Sequence, residues 1–198
     1  MKKLYFIAAL MISCAAELQV DSREFEQIEE EEEILEPVGT IADDNCQHVD
    51  IGDTPCNFRL LDQNGDVWDL YKHEGDIIVL DFSTMWCGPC QTAGYSAQPI
   101  QDDYVDQGVH FVTILIDGYT PAQPPTEEDI DEWVTTHNIT TSPVLMGSRE
   151  KMLDSTAISG YALTGFPTYL YIDRNMKFYS GHSGFSEQYI RDLIEQGL

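Results

Sequence analysis

The stretch that most constrains the fold is an apolar run that ends in two closely spaced cysteines. Residues 77–82 have the length and apolar composition of a strand that is buried on both faces, as in a sheet covered by helices. Cys87-Gly88-Pro89-Cys90 follows shortly after, and its second cysteine falls within a predicted helix. The pattern predicts a strand that leads into a helix, with a redox pair of cysteines where the two meet.

The spacing of Cys87 and Cys90 suits reversible disulfide chemistry. Two thiols three positions apart on the first turn of a helix lie on one face and can close a small ring. We expect Cys87 to be the nucleophile, because the N–H groups and dipole at a helix start stabilise a thiolate. Cys90, one turn inward, is then the resolving cysteine. Pro89 suits the first helical turn, and Gly88 keeps the approach to Cys87 open.

Asp81 interrupts the apolar run. A buried carboxylate is costly unless it is hydrogen-bonded or has a function. With a raised pKa, Asp81 could accept the proton of Cys90 during resolution. The alternative is a carboxylate satisfied by backbone hydrogen bonds.

Two distant motifs carry a resemblance to a known family. The Asp-Phe pair at 81–82 and the Trp-Cys-Gly-Pro-Cys motif at 86–90 resemble the active-site strand and motif of thioredoxins. The Gly-Phe-Pro-Thr motif at 165–168 resembles the cis-proline loop that faces that motif in thioredoxins. Residues 60–70 and the insert between the motifs resemble the membrane-anchored, TlpA-type thiol–disulfide oxidoreductases. The resemblance spans about residues 46–198.

The resemblance implies both a fold and a site. The fold is α/β and thioredoxin-like: a central mixed β-sheet flanked by helices, with an N-terminal β-hairpin and an αβ insert before the cis-Pro loop. The Phe166–Pro167 bond is expected to be cis, which leaves the backbone of Phe166 free to pair with an extended client. Trp86 and Phe166 then form the apolar rim of a substrate groove that also includes Gly88 and Pro89. The Cys87–Cys90 disulfide is the redox group, with no separate cofactor or metal.

Local patterns predict the remaining elements of the domain. Strands are expected at 109–116 and 143–146, and a closing hairpin is expected at 168–172 and 177–181. Thr126 caps a helix with Asp129 at its capping-box position, a short helix is expected over 149–156, and Ser186 begins the last helix. Gly94 and Pro99 predict a bend or break near Pro99 in the helix that follows Cys87.

The first 45 residues predict export and attachment to a membrane. Residues 1–13 match a signal peptide, because two lysines precede an apolar run that is too short to span a bilayer. Residues 11–14 resemble a bacterial lipobox, in which Cys14 is lipidated; cleavage after Ala16 is the alternative. Residues 14–45 are acidic, with five consecutive glutamates from Glu29 to Glu33, and are predicted to be a flexible tether.

The other cysteines predict a structural bridge. Once Cys14 and the Cys87–Cys90 pair are assigned, Cys46 and Cys56 remain as a second disulfide. In an oxidising compartment that bridge contributes about 3 kcal/mol by restricting the unfolded chain. The competing interpretation is a zinc site made from Cys46, His48, Cys56 and the active-site pair, but the sequence lacks a second Cys-x-x-Cys or a His-x-x-x-His motif to complete it.

The charge of the chain limits its partners. With 35 acidic and 10 basic residues, the formal net charge is −25. This argues against nucleic acid and anionic lipid surfaces, whose phosphates are bound by Lys and Arg. The expected partners are disulfide-containing client proteins, the membrane through the N-terminal lipid, and a membrane electron donor that keeps the pair reduced. The expected location is the periplasm-facing bacterial envelope.

Two other functions are open from the sequence. A peroxiredoxin-like thiol peroxidase would have Pro-x-x-x-Thr-x-x-Cys; Thr84 and Cys87 fit this pattern, but Leu80 replaces the Pro. A copper-delivery protein would use cysteines that are separated by three residues, with a histidine such as His182, which we expect in a surface loop. His137, at the end of a helix, is expected to be a boundary residue rather than a catalyst.

Overall fold

The computed structural model describes residues 50–153, 161–163 and 165–198, and the backbone of Thr40–Ile41. The predicted signal peptide, most of the predicted tether, Cys14 and Cys46 lie outside the described residues. Within the described part, no helix combines the length and the apolar character that crossing a membrane requires.

A five-stranded mixed sheet forms the centre of the domain. Its strands are β4 (Ile77–Thr84), β5 (Val109–Asp117), β6 (Val144–Met146), β7 (Thr168–Ile172) and β8 (Phe178–Ser183). They lie side by side in the order β6-β5-β4-β7-β8. Strands β4, β5 and β6 run parallel, whereas β7 is antiparallel to both β4 and β8. The predicted central mixed sheet is confirmed, and all eight residues of β4 are buried at its middle.

Helices cover one face of this sheet. They are α1 (Gly88–Tyr104), α2 (Glu127–Thr136) and α4 (Glu187–Gly197). Ile77 and Val79 of β4 pack in one cluster with apolar residues of all three helices, among them Ala97, Ile130 and Ile194. Burial of a large aliphatic side chain contributes about 1.5–3 kcal/mol, so this cluster fixes the helices on the sheet.

The opposite face is covered by the N-terminal hairpin and by the short helix α3 (Arg149–Met152). Strands β2 (Asn57–Leu61) and β3 (Val67–Asp69) form the hairpin, in which Leu60 pairs with Trp68. Strand β1 (Thr40–Ile41) pairs with β2, although both of its residues lie within the range predicted as tether. The predicted hairpin is confirmed, and a 3-10 helix (Leu70–His73) links it to the central sheet.

Helix α1 continues through Pro99 from Gly88 to Tyr104, so the predicted break is wrong. Proline removes the hydrogen bond to the carbonyl four residues earlier, here that of Tyr95. The side chains of Tyr95 and Pro99 are both exposed, so the unpaired carbonyl lies on the solvent side of the helix. Ala97 and Ile100, both fully buried, hold the inner side against the sheet.

His137 joins two helices. It follows α2 directly, as expected, but its side chain is buried rather than at the surface. Its Nδ1 lies 2.8 Å from the carbonyl oxygen of Trp133, and its Nε2 lies 3.0 Å from that of Gln91 in α1. A Cβ atom added at Gly94 would lie 2.6 Å from the His137 ring, so glycine at this position allows α1 and α2 to approach closely.

Gly94→Ala is expected to destabilise the domain. Alanine gains about 1 kcal/mol in helix propensity, but overpacking a buried ring costs about 1–3 kcal/mol and is expected to exceed that gain. The urea midpoint of unfolding should therefore fall. In a His137→Ala background the imidazole ring is absent, so the methyl group added by Gly94→Ala overlaps no ring. There the substitution should raise the midpoint. A fall of equal size in both backgrounds would contradict this explanation.

Candidate active site

Cys87 and Cys90 lie where β4 gives way to α1. Cys87 is the N-cap residue of α1, with extended backbone, and Cys90 lies in the first turn. The two are joined by a disulfide whose Cα atoms are 5.2 Å apart. The backbone N–H of Cys90 donates to Sγ of Cys87 at 3.2 Å, so the sulfur occupies the position that an oxygen usually has in a helix cap.

Cys87 is more exposed than Cys90, as predicted, but the difference is small. The relative exposure of Cys87 is 4%, and that of Cys90 is 0%. Gly88 and Pro89, between them, are both exposed, and a Cβ atom at Gly88 would contact nothing within 4 Å. A client sulfur can therefore approach Cys87 past Gly88, whereas Cys90 lies behind it.

The loop before β7 faces this disulfide. Its Phe166–Pro167 bond is cis, and the carbonyl oxygen of Phe166 lies 3.4 Å from Sγ of Cys87. The rings of Trp86 and Phe166 meet edge to face with centroids 6.2 Å apart. Trp86 is 41% exposed and Phe166 is half-buried, so the two rings form an apolar rim beside the sulfur.

Asp81 is fully buried in β4, on the face that α1 covers. It shares this face with Ile77 and Val79, which pack in the same cluster as Cys90. Ser83 Oγ donates to its Oδ1 at 2.7 Å, and its Oδ2 is buried without a hydrogen-bond partner among the described residues. Burial raises the pKa of Asp81 to about 7, and the Ser83 hydrogen bond opposes this only in part. Asp81 can therefore exchange a proton near neutral pH.

A row of polar side chains leads from Asp81 towards the edge of the sheet. Asp81 pairs with Tyr169 of β7, which pairs with His182 of β8. His182 lies in this strand rather than in the predicted surface loop, and its ring stacks on those of Tyr169 and Tyr171 at 5.0 and 5.8 Å. Burial lowers the pKa of His182. The tyrosines that flank its ring give it a packing role.

Asp117 and Arg149, which the sequence did not indicate as site residues, hold the rim in place. Trp86 Nε1 donates to Asp117 Oδ2 at 2.9 Å, and the guanidinium of Arg149 donates to both oxygens of Asp117, at 2.8 and 2.7 Å. Arg149 also lies over the Phe166 ring, with its guanidinium carbon 5.6 Å from the centroid. The carboxylate thus ties both sides of the rim to β5 and α3.

The electrostatics of Asp117 are opposite to those of Asp81. Burial alone would raise the pKa of Asp117, but hydrogen bonds from Arg149, the Ala122 backbone and Trp86 outweigh burial and lower it. Asp117 is therefore ionised at neutral pH. Its partners lie 31 and 32 residues away in the sequence, and the acidic end of a strand gave no local sign of this contact.

The remaining predicted cysteines are not part of this site. Cys56, which directly precedes β2, is buried under the hairpin, and its carbonyl accepts a hydrogen bond from Tyr161 at 2.9 Å. Its predicted partner, Cys46, is outside the described residues, as is Cys14. The bridge and the lipidation both stay predictions.

Comparison with known proteins identifies the family. The family model described as AhpC/TSA matches residues 51–179, well over half of the chain. The chain belongs to the AhpC/TSA family. Two relatives carry the name thiol-disulfide oxidoreductase ResA. That of Halalkalibacterium halodurans is 23% identical over 145 residues, which cover 73% of this chain and 75% of ResA. That of Oceanobacillus iheyensis is 27% identical over 107 residues, which cover 52% of each protein.

Solved structures of thiol–disulfide interchange and thioredoxin proteins share the fold of this chain. A structure described as the thiol:disulfide interchange protein DsbE of Chlorobium tepidum is 25% identical, covers 76% of this chain and 99% of its own, and has a TM-score of 0.62. The exposed lipoprotein thioredoxin of Streptococcus pneumoniae has a TM-score of 0.57 at 22% identity, with coverage of 71% and 99%. The predicted thioredoxin-like fold is confirmed. The ResA and DsbE likenesses and the Cys87–Cys90 pair confirm the predicted thiol–disulfide oxidoreductase.

Asp81→Asn is expected to change how stability depends on pH. Between the unfolded pKa of 3.8 and the folded value of about 7, only the native state keeps the proton on Asp81. The native state therefore loses stability as pH rises through this window, by about 4 kcal/mol in total. Asparagine cannot ionise, so the variant should gain on the wild type from pH 4 to pH 8. Urea unfolding at a series of pH values measures this difference.

Asp66→Asn is the matched control, because Asp66 is an exposed carboxylate in the hairpin turn. Its stability should follow the wild-type curve. If Asp81→Asn also follows that curve, Asp81 has an ordinary pKa in the folded protein.

Arg149→Met is expected to destabilise the domain at neutral pH. It leaves the buried Asp117 carboxylate without its cation, and loss of one partner of a buried pair costs about 3–5 kcal/mol. Because Arg149 is 43% exposed, water replaces part of the interaction, and we expect about 1–3 kcal/mol. The double variant Asp117→Asn/Arg149→Met should recover part of the loss. Urea unfolding measures both, and no recovery in the double variant would contradict the pairing.

Proposed function

We propose that this protein reduces disulfides in client proteins outside the bacterial cytoplasm, with Cys87 as the nucleophile. The observation that carries the proposal is the placement of Cys87. Its sulfur caps α1, faces the cis-Pro167 loop and lies next to the rim of Trp86 and Phe166. Membership of a family that includes relatives named thiol-disulfide oxidoreductase supports the same chemistry.

The first step is attack by the Cys87 thiolate on one sulfur of the client disulfide. The client disulfide breaks, the second client sulfur leaves as a thiolate that takes a proton, and a mixed disulfide forms at Cys87. The N–H of Cys90 and the positive end of α1 favour negative charge on Cys87 Sγ, and this favours the attacking thiolate.

The second step is resolution by Cys90. Asp81 lies on the face of the sheet that packs against the cluster containing Cys90, and its pKa is about 7. It accepts the proton of Cys90. The Cys90 thiolate then attacks Cys87 Sγ, the Cys87–Cys90 disulfide forms, and the client leaves with two reduced sulfurs. Two electrons have moved from the enzyme pair to the client, and the proton on Asp81 returns to solvent.

The client is proposed to bind as an extended segment across the rim. The carbonyl of Phe166 lies beside the reacting sulfur and can accept a backbone hydrogen bond from such a segment. Trp86 and Phe166 supply apolar contact for the residues that flank the client cysteine. Arg149 and Asp117 fix the orientation of both rings, so we assign them positioning roles.

The reducing direction and the location complete the proposal. Gly88-Pro89 between the cysteines resembles the reducing members of the superfamily. In an oxidising compartment a membrane electron donor must then return two electrons to the pair after each cycle. The signal peptide at residues 1–13 would direct export and be removed. Lipid at Cys14 and the acidic tether at residues 14–45 would then hold the domain near that donor.

The thiol peroxidase alternative has less support. In that pattern a proline stands seven residues before the reactive cysteine, at the position of Leu80. Leu80 is buried in the cluster on the hairpin side of the sheet, whereas Cys87 belongs to the cluster on the helix side. Copper delivery also lacks support, because His182 is stacked between tyrosines.

Cys90→Ser is expected to stall the cycle at the mixed disulfide. Client proteins should then stay bound to Cys87 and be released by dithiothreitol, because serine cannot resolve the intermediate. Cys87→Ser should capture no client and should lower insulin reduction by at least about a hundredfold. Non-reducing gels of the two variants against the same extract measure the difference.

The control is hydrogen peroxide consumption by the wild type. We expect slow turnover relative to insulin reduction. Fast peroxide turnover that requires Cys87, together with equal client capture by Cys87→Ser and Cys90→Ser, would establish the peroxidase instead.

A further inference from the structure

Three potential metal ligands converge at the end of the sheet opposite the active site. His73 ends the 3-10 helix after the hairpin, Asp76 directly precedes β4, and His110 is the second residue of β5. One ligand atom from each lies within 4.8 Å of the others. Cys87 follows the far end of β4, about 25 Å away along the strand. The cluster is therefore separate from the redox pair.

The local contacts hold the three side chains partly in place. His110 Nε2 lies 2.9 Å from Asp76 Oδ2. The His73 ring stacks on Trp68 at 4.5 Å and meets the His110 ring edge to face at 4.6 Å. Among the described residues, the ring nitrogens of His73 have no hydrogen-bond partner that would compete with a metal. All three side chains are half-buried, so water can complete a coordination shell from outside.

We propose that His73, Asp76 and His110 bind a divalent transition-metal ion, for which Zn²⁺ is the probe. Two imidazoles and one carboxylate suit Zn²⁺, whereas Mg²⁺ and Ca²⁺ prefer oxygen ligands. Metal–ligand bonds of about 2.0–2.1 Å place tetrahedral ligands about 3.3 Å apart. To bind the ion, the His110–Asp76 pair must open by a few tenths of an ångström and the His73 side chain must move inward.

The ion would join segments that are distant in the sequence. His73 belongs to the link after the hairpin, whereas His110 belongs to the central sheet, 37 residues later. A metal bound only by the folded protein stabilises it, because the unfolded chain does not bring the ligands together. We assign the site a structural role, and the disulfide chemistry at Cys87 does not depend on it.

The test is Zn²⁺ binding to the mature chain with Cys87 and Cys90 oxidised, so that the thiolates of this pair do not contribute. Isothermal titration should show one Zn²⁺ per chain, and a hundredfold excess over Kd should raise Tm by about 5 °C or more. His73→Gln and His110→Gln should each weaken this binding by at least about tenfold. His182→Gln, a histidine at another site of the same sheet, should leave it unchanged.

Control measurements separate this site from weak binding by the acidic residues. Asp76→Asn is the variant of the third ligand, and it keeps the shape of the side chain. Circular dichroism shows whether each variant is folded. Mg²⁺ should neither compete with Zn²⁺ nor raise Tm. Insulin reduction by the reduced wild type should be the same with and without Zn²⁺ bound to His73, Asp76 and His110. The activity is measured after excess metal has been removed. Equal Zn²⁺ affinity in wild type, His73→Gln and His110→Gln would overturn the proposal and assign the binding to the acidic residues.

Discussion

The rest of the site depends on the hydrogen bond from the Cys90 backbone to Cys87 Sγ at the start of α1. A helix start leaves N–H groups unpaired, and a side chain that accepts from them stabilises the helix. In the proposed mechanism the sulfur of that side chain is also the reacting atom. Because a thiolate accepts such a bond better than a thiol, the interaction that begins the helix also favours the ionised sulfur. Helix formation and reactivity are thus two consequences of one contact.

Two buried aspartates near this contact have pKa values shifted in opposite directions, because their surroundings differ. Asp81 has one hydrogen bond from a neutral hydroxyl, and burial raises its pKa to about 7. Asp117 has a guanidinium and an indole as donors, and its pKa is lowered. The first can exchange a proton during resolution, whereas the second stays charged and holds Trp86 and Arg149 in place.

The sequence was sufficient for those parts of the structure that local patterns determine. The apolar run of β4, the capping box of Thr126 and Asp129, and the hairpin around Gly65 each predict an element from a few neighbouring residues. The facing cis-Pro167 loop came from a family resemblance, since nothing local places residue 167 next to residue 87. The site role of Arg149 depends on its contact with Asp117, and the packing role of His137 depends on its contact with Gln91. The sequence did not predict either role, because only the folded chain brings these residues together. The break expected at Pro99 failed for a related reason: propensity describes an isolated helix, and packing on the sheet overrides it.

The charges of the chain and of its groove act over different distances. A net charge of −25 attracts basic clients from afar, but at physiological salt it is screened beyond about 8 Å. At the rim itself, the charge of Arg149 is matched by that of Asp117. The pairing of these two groups leaves little net charge from them to select the residues that flank the client disulfide. What remains is the apolar surface of Trp86 and Phe166 and the Phe166 carbonyl, which contact ring faces and backbone rather than particular side chains. In the proposed mechanism the rim therefore accepts extended, partly apolar segments of many sequences, and the accessibility of their disulfides decides which client proteins react.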